Sequence, residues 1–342
     1  MKYIGLSMKR LTYKSAGVDV QAGDKASSEA FRQLSKTFNK NAVLVDHVVG
    51  LKADFKGLRE PMLALAADGV GTKLKYASSL KENRAVGVDV VAMCVNDLAR
   101  NNITPLGFAL YRATGKINPK VMAEVVEGVV AGCLQAGCVY TTGETAEMPD
   151  FYEQGEYDLA GFAVGVFERN RLITGEKIQE GDVIFGLASS GVHSNGFSLI
   201  RKVLSPQTVK RNYKLRSQII EPTKIYVKPV LEANQVFDIH GWAHITGGGI
   251  VGKLGKIIPD GLAAQVKKDS WPPLDIFQEM QTRGGVSDRE MRNTFNMGLG
   301  MIGIASNKII DKIINFLSGR GERVYVIGEI VKGRLSEKVV FK

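Results

Sequence analysis

Leu63-Ala-Leu-Ala-Ala-Asp-Gly-Val-Gly-Thr-Lys-Leu-Lys-Tyr76 is the stretch on which the reading of this chain turns. The apolar run Met62 to Ala67 has the length of a strand and stops at a carboxylate. Asp68 is followed by Gly69, Gly71, Thr72 and Lys73, so a strand feeds a tight, backbone-exposed loop carrying an acid, a hydroxyl and an ammonium. Such a loop suits a metal-bridged phosphate: the carboxylate holds Mg2+, glycine N–H groups approach the oxygens, and lysine adds a point charge. It is not a Walker A loop, because the G-x-x-x-x-G-K-[ST] spacing is missing. On spacing alone, an ordinary glycine turn with a solvated Asp and Lys fits as well.

The 342 residues favour two domains, and 44% hydrophobic with 23% charged residues describe an ordinary globular chain. No apolar stretch approaches a membrane span and the start does not resemble a signal peptide, so the expectation is a cytoplasmic protein with no membrane partner. Cys94, Cys133 and Cys138 complete no metal set and are expected as buried thiols. The net charge of +10 comes from 45 basic residues scattered among 35 acids. No basic block stands out, so nucleic acid is not the expected partner, and phosphate ligands remain open.

Residues 26–39 read as a helix and 43–53 as a strand. Gly87-Val88-Asp89 opens a helical phrase that Asp89 can cap, with Val90, Met93, Cys94 and Leu98 at helical spacing. Asn96 and Asp97 interrupt this apolar helix; a metal or phosphate–metal complex would explain polar groups that are costly to bury alone, and a pair that simply faces water is the other reading. Leu106 to Ala113 reads as a strand. Asn118-Pro119 starts a scaffold helix that Gly137 stops. Cys138 to Thr142 reads as a short strand leading into a loop, Gly143-Glu-Thr-Ala-Glu-Met-Pro149, and Tyr157 to Phe167 as another strand.

The rise in charge after Phe167 marks the expected boundary: residues 1–168 form an N-terminal domain and 169–342 a C-terminal one. Asp182 to Ala188 reads as a buried strand running into Ser189-Ser-Gly-Val-His-Ser-Asn-Gly196 and a helix from Phe197 to Leu204. Strand, small-residue loop and helix N-terminus make an anion site, with His193, one of four histidines, expected as a ligand contact. Residues 205–220 read as loop, Pro222 to Glu232 as helix. Gly247 to Lys253 nearly matches a Walker A spacing, but Leu254 replaces the hydroxyl residue and no adequate strand is read ahead of it. Helices near 250–257, 274–282 and 307–317 alternate with strands at 295–304, 324–330 and 339–341, which implies a sheet covered by helices.

Four phrases occur together: Asp68-Gly-Val-Gly-Thr-Lys73, Gly87-Val-Asp-Val-Val-Ala-Met-Cys-Val-Asn-Asp97, Gly143-Glu-Thr-Ala-Glu-Met-Pro149 and Ser189-Ser-Gly-Val-His-Ser-Asn-Gly196. In this order they closely resemble the phosphoribosylformylglycinamidine cyclo-ligase family. Tyr13 to Asp19, Ala113 to Lys116, His244 to Gly249 and Thr294 to Gly298 match as well, so the resemblance spans nearly the whole chain. It implies an α/β (α+β) fold: an N-terminal mixed sheet that forms a barrel with a second subunit in a homodimer, and a C-terminal α/β domain. It also implies ATP and Mg2+ in a cleft between the domains and ATP-dependent ring closure of a phosphorylated ribonucleotide.

By this resemblance Asp68, Asp97 and Glu144 hold Mg2+, and Asp68, Lys73 and His193 are the catalytic set. Gly69, Gly71, Thr72, Lys73 and Asn96 meet the nucleotide from one side. Gly143, Glu144, Ser190, Gly191, Ser194 and Asn195 complete the contacts. The chain departs from the family in Ala67, where a Thr is usual, in Leu110, where an Asp is usual, and in Thr142 before Gly143-Glu144. Val43 to Gly50 stands where a glycine-rich stretch is usual. Another ATP-using kinase or synthetase of the superfamily and a non-catalytic ligand-binding relative are the competing readings.

Overall fold

The computed structural model describes residues 20–46, 48–52, 55–333 and 337–342; the phrase Tyr13 to Asp19 lies outside them. The chain opens with helix α1 (Val20–Leu34) and a two-stranded antiparallel ribbon, β1 (Ala42–Val45) and β2 (Val48–Leu51). Then come β3 (Pro61–Gly69), α2 (Lys73–Leu80), α3 (Asn83–Ala99), β4 (Thr104–Thr114), α4 (Pro119–Ala136), β5 (Val139–Glu147) and β6 (Tyr157–Glu168). Their strands make one mixed sheet in the order β3-β6-β4-β5, parallel only between β4 and β5. This sheet is open, not a closed barrel. The helices cover one face. On the other, Leu63, Leu65 and Phe162 stand exposed.

The second half holds β7 (Val183–Ala188), α5 (Phe197–Val203), α6 (Pro206–Lys210), α7 (Tyr213–Ile220), α8 (Val227–Val236), β8 (Ile239–His244), α9 (Gly249–Leu254), β9 (Leu262–Val266), α10 (Asp275–Gly284), α11 (Asp288–Thr294), β10 (Leu299–Ala305), α12 (Ile310–Ser318), β11 (Val324–Lys332) and β12 (Val339–Phe341). Its six strands are ordered β12-β9-β11-β7-β10-β8, antiparallel except for β12 with β9. The two sheets part between Glu168 and Val183, yet the apolar core is continuous. Phe185, Tyr226 and Trp242 pack in one cluster with Val86, Val90 and Phe108, and Tyr76 packs with Phe197 and Ile200.

Several expectations are corrected. Asp89 does not cap α3, which begins six residues earlier at Asn83 and buries Asp89 in its middle. The glycine read as a helix opening is a contact point: a Cβ on Gly87 would lie 2.1 Å from the Val125 carbonyl oxygen and 2.9 Å from Gly128 Cα. Gly128 in turn faces the Arg84 carbonyl, so α3 and α4 touch backbone to backbone. Residues 205–220 are helical, because Ser205 accepts a hydrogen bond from Thr208 N–H and Asn212 from Leu215 N–H at the starts of α6 and α7. A strand, β8, does precede the triple glycine; it is wholly buried, and its His240 bonds Asp182 at 2.6 Å, which hides the strand in a polar-looking sequence. Strand β5 runs on through Glu147 because β4 pairs with it as far as Thr114. Strand β9 and helix α11 have no counterpart in the sequence reading.

Replacing Gly87 with Ala is expected to force the α3–α4 crossing apart and lower stability by about 1–3 kcal/mol. Chemical denaturation measures this; an unchanged midpoint would contradict the backbone contact.

Candidate active site

A cleft of about 930 Å3 opens between the two halves. From the N-terminal half it is lined by the β3–α2 turn, Asp68 to Thr72, and by Asp158, Leu159 and Ala160 at the start of β6. From the C-terminal half come Ser194 to Leu199 ahead of and within α5, Lys202, Thr246, Gly247 and Lys253. Antiparallel pairing of Asp68 with Gly161 and Gly69 with Ala160 sets the β3 end beside β6. Gly71 takes φ 69°, a left-handed conformation that turns the chain from strand to helix at little cost only in glycine. Thr72 Oγ1 and Ser198 Oγ approach to 3.2 Å and tie the two walls together.

Asp68 is exposed and its Oδ1 accepts the Gly69 N–H at 2.8 Å. Partial burial raises its carboxyl above the ordinary range, and the nearby Asp97 charge adds to this. Burial would also raise Asp97. The His244 hydrogen bond and charge, with Arg100 and Lys253, outweigh it and hold Asp97 below the ordinary range. His244 Nδ1 lies 3.1 Å from Asp97 Oδ1, and its Nε2 lies 3.4 Å from Asn96 Nδ2. Asn195 presents a buried Nδ2 that no described residue bonds. Two acids repelling one another, basic Lys202 and Lys253, and an unpartnered amide donor form a polar cleft with both signs of charge.

The expected site residues separate into two groups. Asp68, Gly69, Gly71, Thr72, Ser194 and Asn195 line the cleft, with Asp97 within electrostatic reach of Asp68. The structure does not bring the others to it. Lys73 is fully buried and forms an ion pair with Asp89 Oδ2 at 2.8 Å while donating to the Glu221 carbonyl at 3.1 Å. Asn96 is buried and serves the turn before α8, accepting from Tyr226 N–H and donating to the Lys224 carbonyl. Ser190 donates to the Pro222 carbonyl, and Gly191 packs against the Gln218 carbonyl.

His193 sits at φ 61° with 1% exposure; its Nε2 accepts from the amides of Ser190 and Lys224 at 3.3 and 3.4 Å. Burial, then the charges of His244, Lys73 and Lys224, push it well below the usual histidine range, so it is neutral. It shapes the loop from beneath. Gly143 and Glu144 lie on β5, away from the cleft, and no group of three metal-ligating side chains forms among the described residues. Asp68, Asp97 and Glu144 therefore do not make one ligand set.

Asp158, Lys202, Lys253 and His244 were not picked out as site residues. His244 carried a signal as the first residue of a phrase that the resemblance already included, and Lys253 as the lysine of the near-Walker spacing; Asp158 and Lys202 have no motif around them.

Two family profiles match the chain, AIR synthase related protein, N-terminal domain, over residues 53–167 and AIR synthase related protein, C-terminal domain, over 179–340. Phosphoribosylformylglycinamidine cyclo-ligase of Acetivibrio thermocellus is 44% identical over 335 residues, covering 94% of this chain and 98% of that protein. The enzyme of the same name from Alkaliphilus metalliredigens is 44% identical over 345 residues, covering 98% and 99%. The chain belongs to the phosphoribosylformylglycinamidine cyclo-ligase family. Its fold is also that of thiamine-monophosphate kinase from Stenotrophomonas maltophilia, with TM-score 0.71 at 17% identity over 93% of this chain and 96% of that one. A hydrogenase maturation protein HypE solved in complex with ATP has TM-score 0.65 at 17% identity, covering 90% and 88%.

The departures of this cyclo-ligase from its family have defined places. Ala67 pairs with Phe162 on the open face of the sheet, on the side opposite to Asp68. Leu110 is 2% exposed in the core under the helices, and Thr142 is exposed on β5. Mg2+ characteristically uses one or two carboxylates and completes its shell with phosphate oxygens and water. Asp68, raised by partial burial and then by the charge of Asp97, together with Asp97 fits that requirement.

Lys73→Met leaves Asp89 charged and buried without its partner and is expected to cost about 3–5 kcal/mol in a denaturation titration; a loss below about 1 kcal/mol would contradict the pairing. His193, depressed in the folded state, binds its proton only on unfolding, so the unfolded state takes up more protons below about pH 6.5. Stability should fall as pH drops from about 7 to about 5, and His193→Asn should flatten that slope. An unchanged slope in the variant would assign the effect elsewhere.

Proposed function

We propose that this protein catalyses the ATP-dependent ring closure of formylglycinamidine ribonucleotide to aminoimidazole ribonucleotide, with release of ADP and phosphate. The observation that carries the reading is the cleft in which Asp68, with Asp97 behind it, faces the loop and helix N-terminus of Ser194 to Phe197. In this reaction the formamide oxygen of the substrate takes the γ-phosphoryl group of ATP and ADP departs. The amidine nitrogen then attacks the activated carbon, the C–O bond breaks with loss of phosphate, and a proton is lost as the ring becomes aromatic.

Asp68 and Asp97 would hold Mg2+, which supplies neutralising charge to the triphosphate oxygens. The amide of Gly71, the Asn195 Nδ2, Lys202 and Lys253 are placed to bind phosphate oxygens and to stabilise the charge that builds during transfer. His244, fixed by Asn96, orients the Asp97 carboxylate. The closed packing beneath the loop, from His193 and the Lys73–Asp89 pair, keeps these donors in place before the nucleotide arrives.

The chain is read as a homodimer acting in the cytoplasm, in line with no described helix being long and apolar enough to cross a membrane. Support for the dimer is the uncovered sheet face: Leu63 and Leu65 are 56% and 78% exposed, and Val164 and Val166 flank them on β6. Pairing two such open sheets would bury these side chains and close a barrel. Sedimentation of the wild type should give a dimer that Leu65→Glu shifts towards monomer; a monomeric wild type refutes it.

The decisive assay is ADP release with and without formylglycinamidine ribonucleotide. The wild type is expected to release ADP only with this substrate, and Asp68→Asn to lose at least about 100-fold in turnover. ADP release indifferent to the substrate would favour another kinase or synthetase activity, and substrate binding with no turnover a non-catalytic relative.

A further inference from the structure

The phrase Gly143 to Pro149 stands out in the sequence, yet it does not line the nucleotide cleft. Beside it is a feature that the cleft leaves unexplained. Arg112 on β4 is 1% exposed, and its Nε and Nη1 have no hydrogen-bond partner among the described residues. The β4–β5 register sets Arg112 opposite Thr145, and Leu110 opposite Gly143, on the helix-covered face. Thr145 Oγ1 is likewise buried and unpartnered. So is the hydroxyl of Tyr140, which reaches forward until it lies 2.6 Å from where a Cβ on Gly143 would be. Three unsatisfied polar groups therefore gather at one end of the sheet, around a glycine whose lack of a side chain leaves the tyrosine its room.

Proteins rarely leave buried polar groups unpaired, and a buried guanidinium least of all. Burial weakens the hold of Arg112 on its proton, and the carboxylate nearest in charge, Glu144, stands on the opposite, exposed face and makes no bond to it. Leu110, two residues back on the same face, is apolar. A guanidinium offers only donors, and the two hydroxyls can donate as well. What satisfies all three is a group of acceptor oxygens with negative charge, and a guanidinium fork matches a phosphate bidentately. Across the sheet Arg112 pairs with Leu159, which lines the nucleotide cleft together with Asp158 and Ala160. The unsatisfied cluster is thus one strand away from the cleft wall.

We infer that Arg112, Thr145 and Tyr140 form an oxyanion subsite that holds the phosphate monoester of the ribonucleotide substrate. The assignment of this oxyanion to the substrate rests on the proposed ring closure. The reacting formamide end would then lie towards Asp68, with Gly143 to Thr145 at the phosphate end.

The test titrates ribose 5-phosphate and ribose calorimetrically into the full chain as wild type, Arg112→Gln, Tyr140→Phe and Thr145→Val. Folding is checked by circular dichroism, and MgATP affinity is measured separately. Ribose 5-phosphate should bind the wild type saturably and ribose should not. Arg112→Gln should weaken binding about 10-fold to 100-fold, with Arg112→Lys recovering part of the loss and MgATP affinity unchanged. KM for formylglycinamidine ribonucleotide should rise by a similar factor, with kcat changing less.

If Arg112→Gln fails to fold, Tyr140→Phe and Thr145→Val carry the test, each with a loss of about 3-fold to 10-fold. No saturable ribose 5-phosphate binding to the wild type, or equal binding by all variants, would overturn the subsite. ADP release indifferent to the substrate, alongside Arg112-dependent ribose 5-phosphate binding, would sink the ring-closure reading and leave the subsite standing.

Discussion

The buried ion pair between Lys73 and Asp89 governs how the two halves meet. Both side chains are fully buried, at a desolvation cost that is several kcal/mol per ion before their attraction offsets it. The pair persists because each partner is further bonded across the junction. Lys73 donates to the Glu221 carbonyl, and Asp89 accepts both the N–H and the hydroxyl of Thr223 at 2.7 Å. The lysine that ends the Asp68 loop thereby anchors that loop to the segment 221–224 of the other half. Thr223 passes the constraint on to Ser194, whose hydroxyl lies 2.9 Å from its own, and Ser194 lines the cleft. A loop from each half is thus held by one charged knot.

The cleft shows a division of labour that follows from this knot. The N-terminal wall brings acids, Asp68 and Asp158, with Asp97 behind, and the C-terminal wall brings the amide and ammonium donors of Asn195, Lys202 and Lys253 with one acid, Glu290, among them. Acids suit the cation of a metal-bridged triphosphate and donors suit its oxygens. The residues beneath the cleft do no chemistry at the surface. His193, Asn96 and Ser190 bond backbone groups of residues 222–226, and Gly191 packs against the Gln218 carbonyl.

Much of the architecture was legible where a local signal was strong. Asn118-Pro119 and Gly137 bounded α4, and the apolar runs before Asp68 and Ser189 were strands. The sequence misled where tertiary contact overrides local pattern. Gly87 looked like a helix start because the closeness of α4, which requires it, is invisible in one dimension. Strand β8 was hidden by two histidines and a tryptophan whose polar side chains bond Asp182, Asn234 and Asp97 in the fold. In the site, Asp68 and its glycines follow a strand as the sequence read them, and they line the cleft. Lys73 and His193 were assigned to ligands because a charge or an imidazole in a glycine loop suggests one; Lys73 pairs with Asp89, 16 residues on, and His193 accepts from Ser190 beside it and from Lys224, 31 residues on. Asp158 and Lys202 had no motif to mark them.

The claim on which the account rests is that a metal-bound triphosphate lies between the Asp68 loop and the Ser194 loop. A crystal structure of the protein with a non-hydrolysable ATP analogue and Mn2+, with the metal located by anomalous scattering, tests it directly. The account predicts a metal peak at Asp68 and Asp97, and phosphate oxygens at the Gly71 amide and at Asn195. A nucleotide bound elsewhere, such as in the cavity lined by Glu168, Arg171 and His240 on another part of the molecule, or a metal held without Asp68, would contradict it.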